Sequence, residues 1–109
     1  MAYNKNLGLR ISHFLADEPG LVEKKMFGGV GFLLDGNMAC GVIQDALIVR
    51  VGADAYQSAL DQPHVRPFDM TGRPMSGWVM VDLPGIADEE ALEAWIRQGC
   101  DFARSLPPK

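Results

Sequence analysis

Cysteine is scarce in this chain: Cys40 and Cys100 are the only two, far apart and in no Cys-x-x-Cys pair. That excludes a thiolate metal knuckle or redox motif contiguous in sequence and leaves two separate, partly buried thiols as the expectation. Histidine is as sparse, with His13 and His64 isolated from each other and from the cysteines, so a zinc site or a Cys–His pair would have to be assembled by folding. Basic residues are outnumbered, 10 Lys and Arg against 14 Asp and Glu, for a formal net charge of -4. Sequence-independent binding to nucleic acid needs the opposite balance, so a nucleic-acid partner is not expected. No apolar run approaches the ~18 residues of a membrane span. The opening Met-Ala-Tyr-Asn-Lys-Asn also lacks the charged-then-apolar order of a signal peptide. No membrane partner is expected, and the cytoplasm is the expected compartment.

What the chain does have is an apolar middle. With 48% hydrophobic and 22% charged residues in a length of 109, the composition is that of a globular protein, and one domain spanning 1–109 is expected. Its organising stretch is Met26 to Val51. Three apolar runs, Val30–Leu34, Met38–Ile43 and Leu47–Val51, are separated by Asp35-Gly36-Asn37 and Gln44-Asp45, residues that tolerate tight turns. This spacing predicts a meander of antiparallel strands. Val30, Phe32 and Leu34 share one face; Met38, Cys40 and Val42 are expected to oppose Ala39, Gly41 and Ile43. The Gly28-Gly29-Val30-Gly31 run could cradle a phosphate only if a helix followed it. Phe32-Leu33-Leu34 reads as strand instead, so a bulge or close backbone contact is the better reading.

On either side of the meander the periodicity changes. Leu7, Ile11, Phe14 and Leu15 form one stripe of a helix over about 4–17, capped by Asn4 or Asn6 and ended by Pro19-Gly20. Leu21 to Phe27 reads as a charged edge strand or extended arm. Beyond Val51, a short helix is expected over about 54–62 with Asp54 as its cap, then loop from His64 to Pro67, a short strand around Phe68–Met70, and an irregular stretch from Thr71 to Gly77. Trp78 to Leu83 alternates as a strand. The final helix, about 88–106, has Asp88 as cap and a stripe of Leu92, Trp95, Ile96, Gly99, Phe102 and Leu106; Pro107-Pro108-Lys109 reads as a frayed tail. The order α-β-β-β-α-β-β-α, with a possible extra arm, predicts an α+β fold: a two-layer sandwich of a mostly antiparallel sheet with helices on one face. Arg50, mid-strand, is expected on the opposite face.

Several of these segments together resemble a known family. Lys25-Met26-Phe27-Gly28-Gly29-Val30-Gly31, Leu34-Asp35-Gly36, Leu47-Ile48-Val49-Arg50, Phe68, Gly72-Arg73-Pro74-Met75 and the closing helix with Leu106-Pro107-Pro108-Lys109 are similar to the TfoX (Sxy) N-terminal domain family, over about residues 10–109. The resemblance implies a two-layer fold like that of type III secretion chaperones, no recognised catalytic residues and no cofactor. TfoX itself is a bacterial regulator of natural competence with a second, C-terminal helical domain; this chain resembles the short stand-alone members.

The expected function is therefore a small non-enzymatic regulatory or adaptor module that binds an unknown protein partner, with a link to competence or transcriptional regulation through the family. Its candidate interaction surface comprises Lys25, Phe27, Gly28, Gly29, Arg50, Arg73, Met75 and Trp78, since exposed Arg, Met and Trp are enriched at interfaces. Plain packing of these residues is the competing reading. A second reading uses Lys25, Arg50 and Arg73 as a local basic patch for nucleic acid. A third joins Cys40, His13, His64 or Asp69 in a cleft as an enzyme or small-ligand carrier. A symmetric homodimer through a sheet face or edge is also expected.

Overall fold

The computed structural model describes residues 3–26, 28–69 and 72–109. Helix α1 spans Lys5–Leu15, and its start is fixed by Asn4, whose side-chain oxygen accepts from the Leu7 amide at 3.0 Å. Leu7, Ile11 and Leu15 are its buried side. Strands β1 (Leu21–Met26), β2 (Gly29–Leu34), β3 (Asn37–Ile43) and β4 (Ala46–Arg50) follow as antiparallel neighbours. The doubtful arm before the meander is thus a complete strand at the sheet edge. Asp35 and Gly36, both at positive φ, make the two-residue turn from β2 to β3, the backbone that matches the twist of the flanking strands.

Helix α2 (Ala53–Leu60) begins one residue earlier than its sequence suggested. Gly52, at φ 86° and without a side-chain cap, precedes it, so Asp54 lies in the first turn rather than at the cap. The next strand is β5, Val65–Pro67, and not Phe68–Met70. Arg66 pairs with Met80 on the neighbouring strand, and Pro67 is accommodated because β5 is an edge strand that needs no outward amide. Phe68 leaves the sheet and turns inward; Met70 and Thr71 lie outside the described residues. Strand β6 (Trp78–Val81) ends before Leu83, which opens a short 3-10 turn, and helix α3 spans Glu89–Arg104 with Asp88 accepting from the Glu90 amide at 3.3 Å.

The described residues form an α+β sandwich: a six-stranded antiparallel sheet in the order β1-β2-β3-β4-β6-β5, with three helices. All three helices share one core with the sheet, in which Phe32, Val42, Leu47, Val49 and Val79 meet Leu7, Ile11, Ala59, Leu92 and Ile96. On α3 the buried positions include Cys100 and Ala103, while Phe102 is half-buried; Leu106, also half-buried, lies past the end of the helix. The alternation read for β3 fails at one point. The pairing slips between Phe32↔Cys40 and Leu33↔Met38, leaving Ala39 as an extra, unpaired residue, a β-bulge. Ala39 and Cys40 both enter the helix-side core, and Met38 is carried to the opposite face, where its methyl lies over Gly31 and Gly41.

That opposite face is not uniformly open. Around β4 and β6, Ala46, Ile48, Phe68 and Met80 form a second, smaller core, edged by Ile43 and Trp78. Phe68 and Trp78 are tied to it through Met75, whose amide donates to the Phe68 carbonyl and whose carbonyl accepts from the Trp78 amide, both at 3.0 Å. The tail is also ordered: the buried Asn37 side chain donates to the Pro107 carbonyl at 2.9 Å, and the Lys109 amide to the Asp35 carbonyl at 2.8 Å. It docks on the β2–β3 turn instead of fraying.

Candidate interaction surface

Arg50 is the last residue of β4. It has the strand parity of Ile48, away from the helix-side core, and pairs across the ladder with Trp78. Its guanidinium carbon lies 5.1 Å from the centroid of the Trp78 ring and 5.4 Å from that of Phe102. Phe102 belongs to the helix layer. It reaches the strand end because Gly52 has no side chain: a Cβ there would stand 2.7 Å from a ring carbon of Phe102. Gly77 lies against the same corner, and its carbonyl accepts from the amides of Val51 and Gly52 at 2.8 and 3.0 Å. A cation over two aromatic rings is attracted to both through the ring quadrupoles, by about 0.5–1 kcal/mol for each ring at a partly exposed site.

The other arginines of the framework have carboxylate partners. Arg10 meets Glu89 at 2.6 Å, Arg66 meets Asp82 at 3.0 Å, Arg97 meets Glu93 at 3.3 Å, and Arg104 meets Glu18 at 3.1 Å and Asp35 at 3.4 Å. Among the described residues no carboxylate pairs with Arg50, and no hydrogen-bond acceptor reaches its guanidinium. Arg73, exposed on the loop before β6, likewise has no ionic partner among them.

The fold divides the residues singled out from the sequence into two groups. Arg50 and Trp78 are cross-strand partners, and Met75, 39% exposed, is bonded through its carbonyl to Trp78. Lys25 is exposed on β1 with the opposite parity, paired with Val30 of the helix-side face. Gly28 and Gly29 lie at the β1–β2 turn, and Gly29 packs against the Val42 carbonyl and the Ile43 side chain. Ile43 pairs with Ala46 at the start of β4, four residues before Arg50, so this group sits at the far end of the strands. The glycine bend opens strand β2 and not a helix, which removes the geometry of a phosphate cradle. Phe27 lies outside the described residues. Phe102 is the residue sequence reasoning missed: it read as core, and only the glycine at position 52 hinted that something must approach there.

The residues weighed as reactive groups are dispersed. Cys40 is wholly buried between β3 and α3, whereas His13, His64 and Asp69 are exposed on separate elements. His64 edges a cleft of about 380 Å³ between the end of α2 and α3, over Trp95, but Cys40, His13 and Asp69 do not line it. Burial pushes the Cys40 thiol far up, with the neighbouring Cys100 adding to it, and pushes the Cys100 thiol up to about 11, helped by nearby Glu18. Both therefore hold their protons near neutrality and are poor nucleophiles. No group of three or more metal-ligating side chains is assembled among the described residues, and no described helix is long and apolar enough to cross a membrane.

Comparison with protein families decides the kinship. The TfoX N-terminal domain profile matches residues 13–103, most of the chain and all of the sheet. The chain belongs to the TfoX N-terminal domain family. That family is not a known enzymatic one. No curated protein sequence matches the chain.

Proposed function

We propose that this TfoX N-terminal domain protein is a small non-enzymatic regulatory or adaptor module that acts by binding another protein, in a pathway of bacterial regulation akin to competence or transcriptional control. One observation carries the reading: a guanidinium held over two aromatic rings, with no carboxylate partner among the described residues, beside the partly exposed Met75 and Trp78. Arg and Trp are the types that dominate binding energy at interfaces, and Met is enriched there; here Arg50 and Trp78 are held on strand ends and Met75 is hydrogen-bonded to Phe68 and Trp78. Lys25, Gly28 and Gly29, at the other end of the strands, are not part of this surface.

The experiment is affinity capture from the native host with the intact chain as bait, beside an Arg50→Ala/Arg73→Ala double variant. The double variant is expected to lose the captured partner while melting within a few degrees of the parent. An identical capture profile from both baits would count against the surface.

A further inference from the structure

The chemistry of Arg50 allows a narrower statement about what the surface recognises, one that rests on the binding reading above. We infer that Arg50 is the receptor for the carboxylate of a single Asp or Glu of the partner protein, with an apolar side chain next to that carboxylate lying on Trp78 and Met75.

Three features lead there. The first is the kind of contact Arg50 makes. Trp78 and Phe102 lie 5.1 and 5.4 Å from the guanidinium carbon, and aromatic rings engage a guanidinium without taking its N–H donors. Those donors lie in the guanidinium plane, in the fork that meets a carboxylate with two parallel hydrogen bonds. The second is vacancy of charge. Arg10, Arg66, Arg97 and Arg104 each have a carboxylate of the chain within 3.4 Å, whereas none among the described residues pairs with Arg50. A half-buried cation with unfilled donors favours an anionic partner over a neutral one, because its own desolvation has already been partly incurred.

The third is the anion class. A doubly charged phosphate is typically met by several cations or by a cluster of amides, and the whole chain carries a net charge of -4, which repels a polyanion. One guanidinium matches one carboxylate. The surroundings are apolar, Met75 at 39% exposure and a half-buried Trp78, so the acidic residue is expected next to an apolar one and not in a long acidic run.

A displayed library of random dodecapeptides, selected in parallel on the intact chain and on Arg50→Gln and Arg50→Lys variants, tests this. The parent is expected to enrich peptides in which Asp or Glu adjoins a large apolar residue. Those peptides should bind Arg50→Gln at least tenfold more weakly, and Arg50→Lys, which keeps the charge but loses the fork, several-fold more weakly. Replacing the peptide's acid by its amide should give the same loss on the parent and none on Arg50→Gln. Peptides without acidic residues that bind Arg50→Gln equally well would overturn the carboxylate assignment and leave the binding reading standing. Displacement of the selected peptides by millimolar inorganic phosphate would overturn it in favour of a phosphate receptor. Recovery of no peptide by any of the three chains counts against both statements.

Discussion

Gly99 of α3 sits directly on the backbone carbonyl of Ala39, so closely that a Cβ at position 99 would collide with that oxygen. Ala39 is the unpaired residue of the β3 bulge. The helix therefore docks where the sheet locally departs from regular pairing, and the one residue without a side chain occupies the point of closest approach. Gly99→Ala should raise intrinsic helix propensity by about 1 kcal/mol, yet force α3 off the sheet at a cost of about 1–3 kcal/mol or more. Net destabilisation in urea melts is the expected result; a gain in stability would mean the contact yields easily.

Arg10 makes a composite link between α1 and the start of α3. Besides Glu89 it donates to the carbonyls of Ile86 at 2.8 Å and Ala87 at 3.4 Å, with its side chain 20% exposed against 61% for Glu89. The carbonyl bonds should outweigh the screened ion pair. Arg10→Met is expected to cost about 1–2 kcal/mol, little changed by salt, and Glu89→Gln less than about 0.5 kcal/mol. Comparable losses for the two variants in chemical denaturation would reverse that ranking.

The thiols supply a pH dependence. In the folded chain Cys100 holds its proton up to about 11, against an ordinary value of 9.0, and Cys40 shifts in the same direction. Between these values the folded state binds more protons than the unfolded one, so stability is complete below about pH 9 and falls as pH rises toward 11. Denaturation midpoints should decline over that window, less steeply in Cys100→Ala. Near neutrality, Ellman's reagent should label the native chain far more slowly than the unfolded one.

Asn37 is the one buried polar side chain of the described core, 2% exposed, and its amide holds the Pro107 carbonyl. Asn37→Ala should cost about 1 kcal/mol and release the last residues. Carboxypeptidase should then trim the variant faster than the parent; equal rates would show that the Lys109–Asp35 bond suffices.

How far the sequence speaks for itself depends on range. Alternation at Val30, Phe32 and Leu34 and the stripe Leu7, Ile11, Leu15 are local patterns, and the structure follows them. The bulge at Ala39 is a property of two strands in register, so nothing within Met38–Ile43 could announce that Met38 and Cys40 part company. Strand β5 was hidden because Pro67 normally argues against a strand, a rule that relaxes at an edge. The second core under Phe68, the docked tail and the Arg50–Phe102 approach all join distant positions. Trp78 and Arg50 were each legible as unusual surface types, but their pairing was not, and Lys25 and the glycine bend were grouped with them only because chain order gave no hint of which strand end each would occupy.

The anchored tail has a practical consequence for handling this protein. Asn37 and Asp35 hold Pro107 and Lys109 at the strand ends where Arg50 finishes β4, whereas the Asn4 amide is bonded to the Gln44 carbonyl at 2.7 Å, by the turn at the far end. Resin linkers, fluorophores or fused partners added after Lys109 would stand at the same end of the strands as the guanidinium. The same additions ahead of Asn4 leave it clear, so N-terminal immobilisation is the attachment of choice for any binding assay.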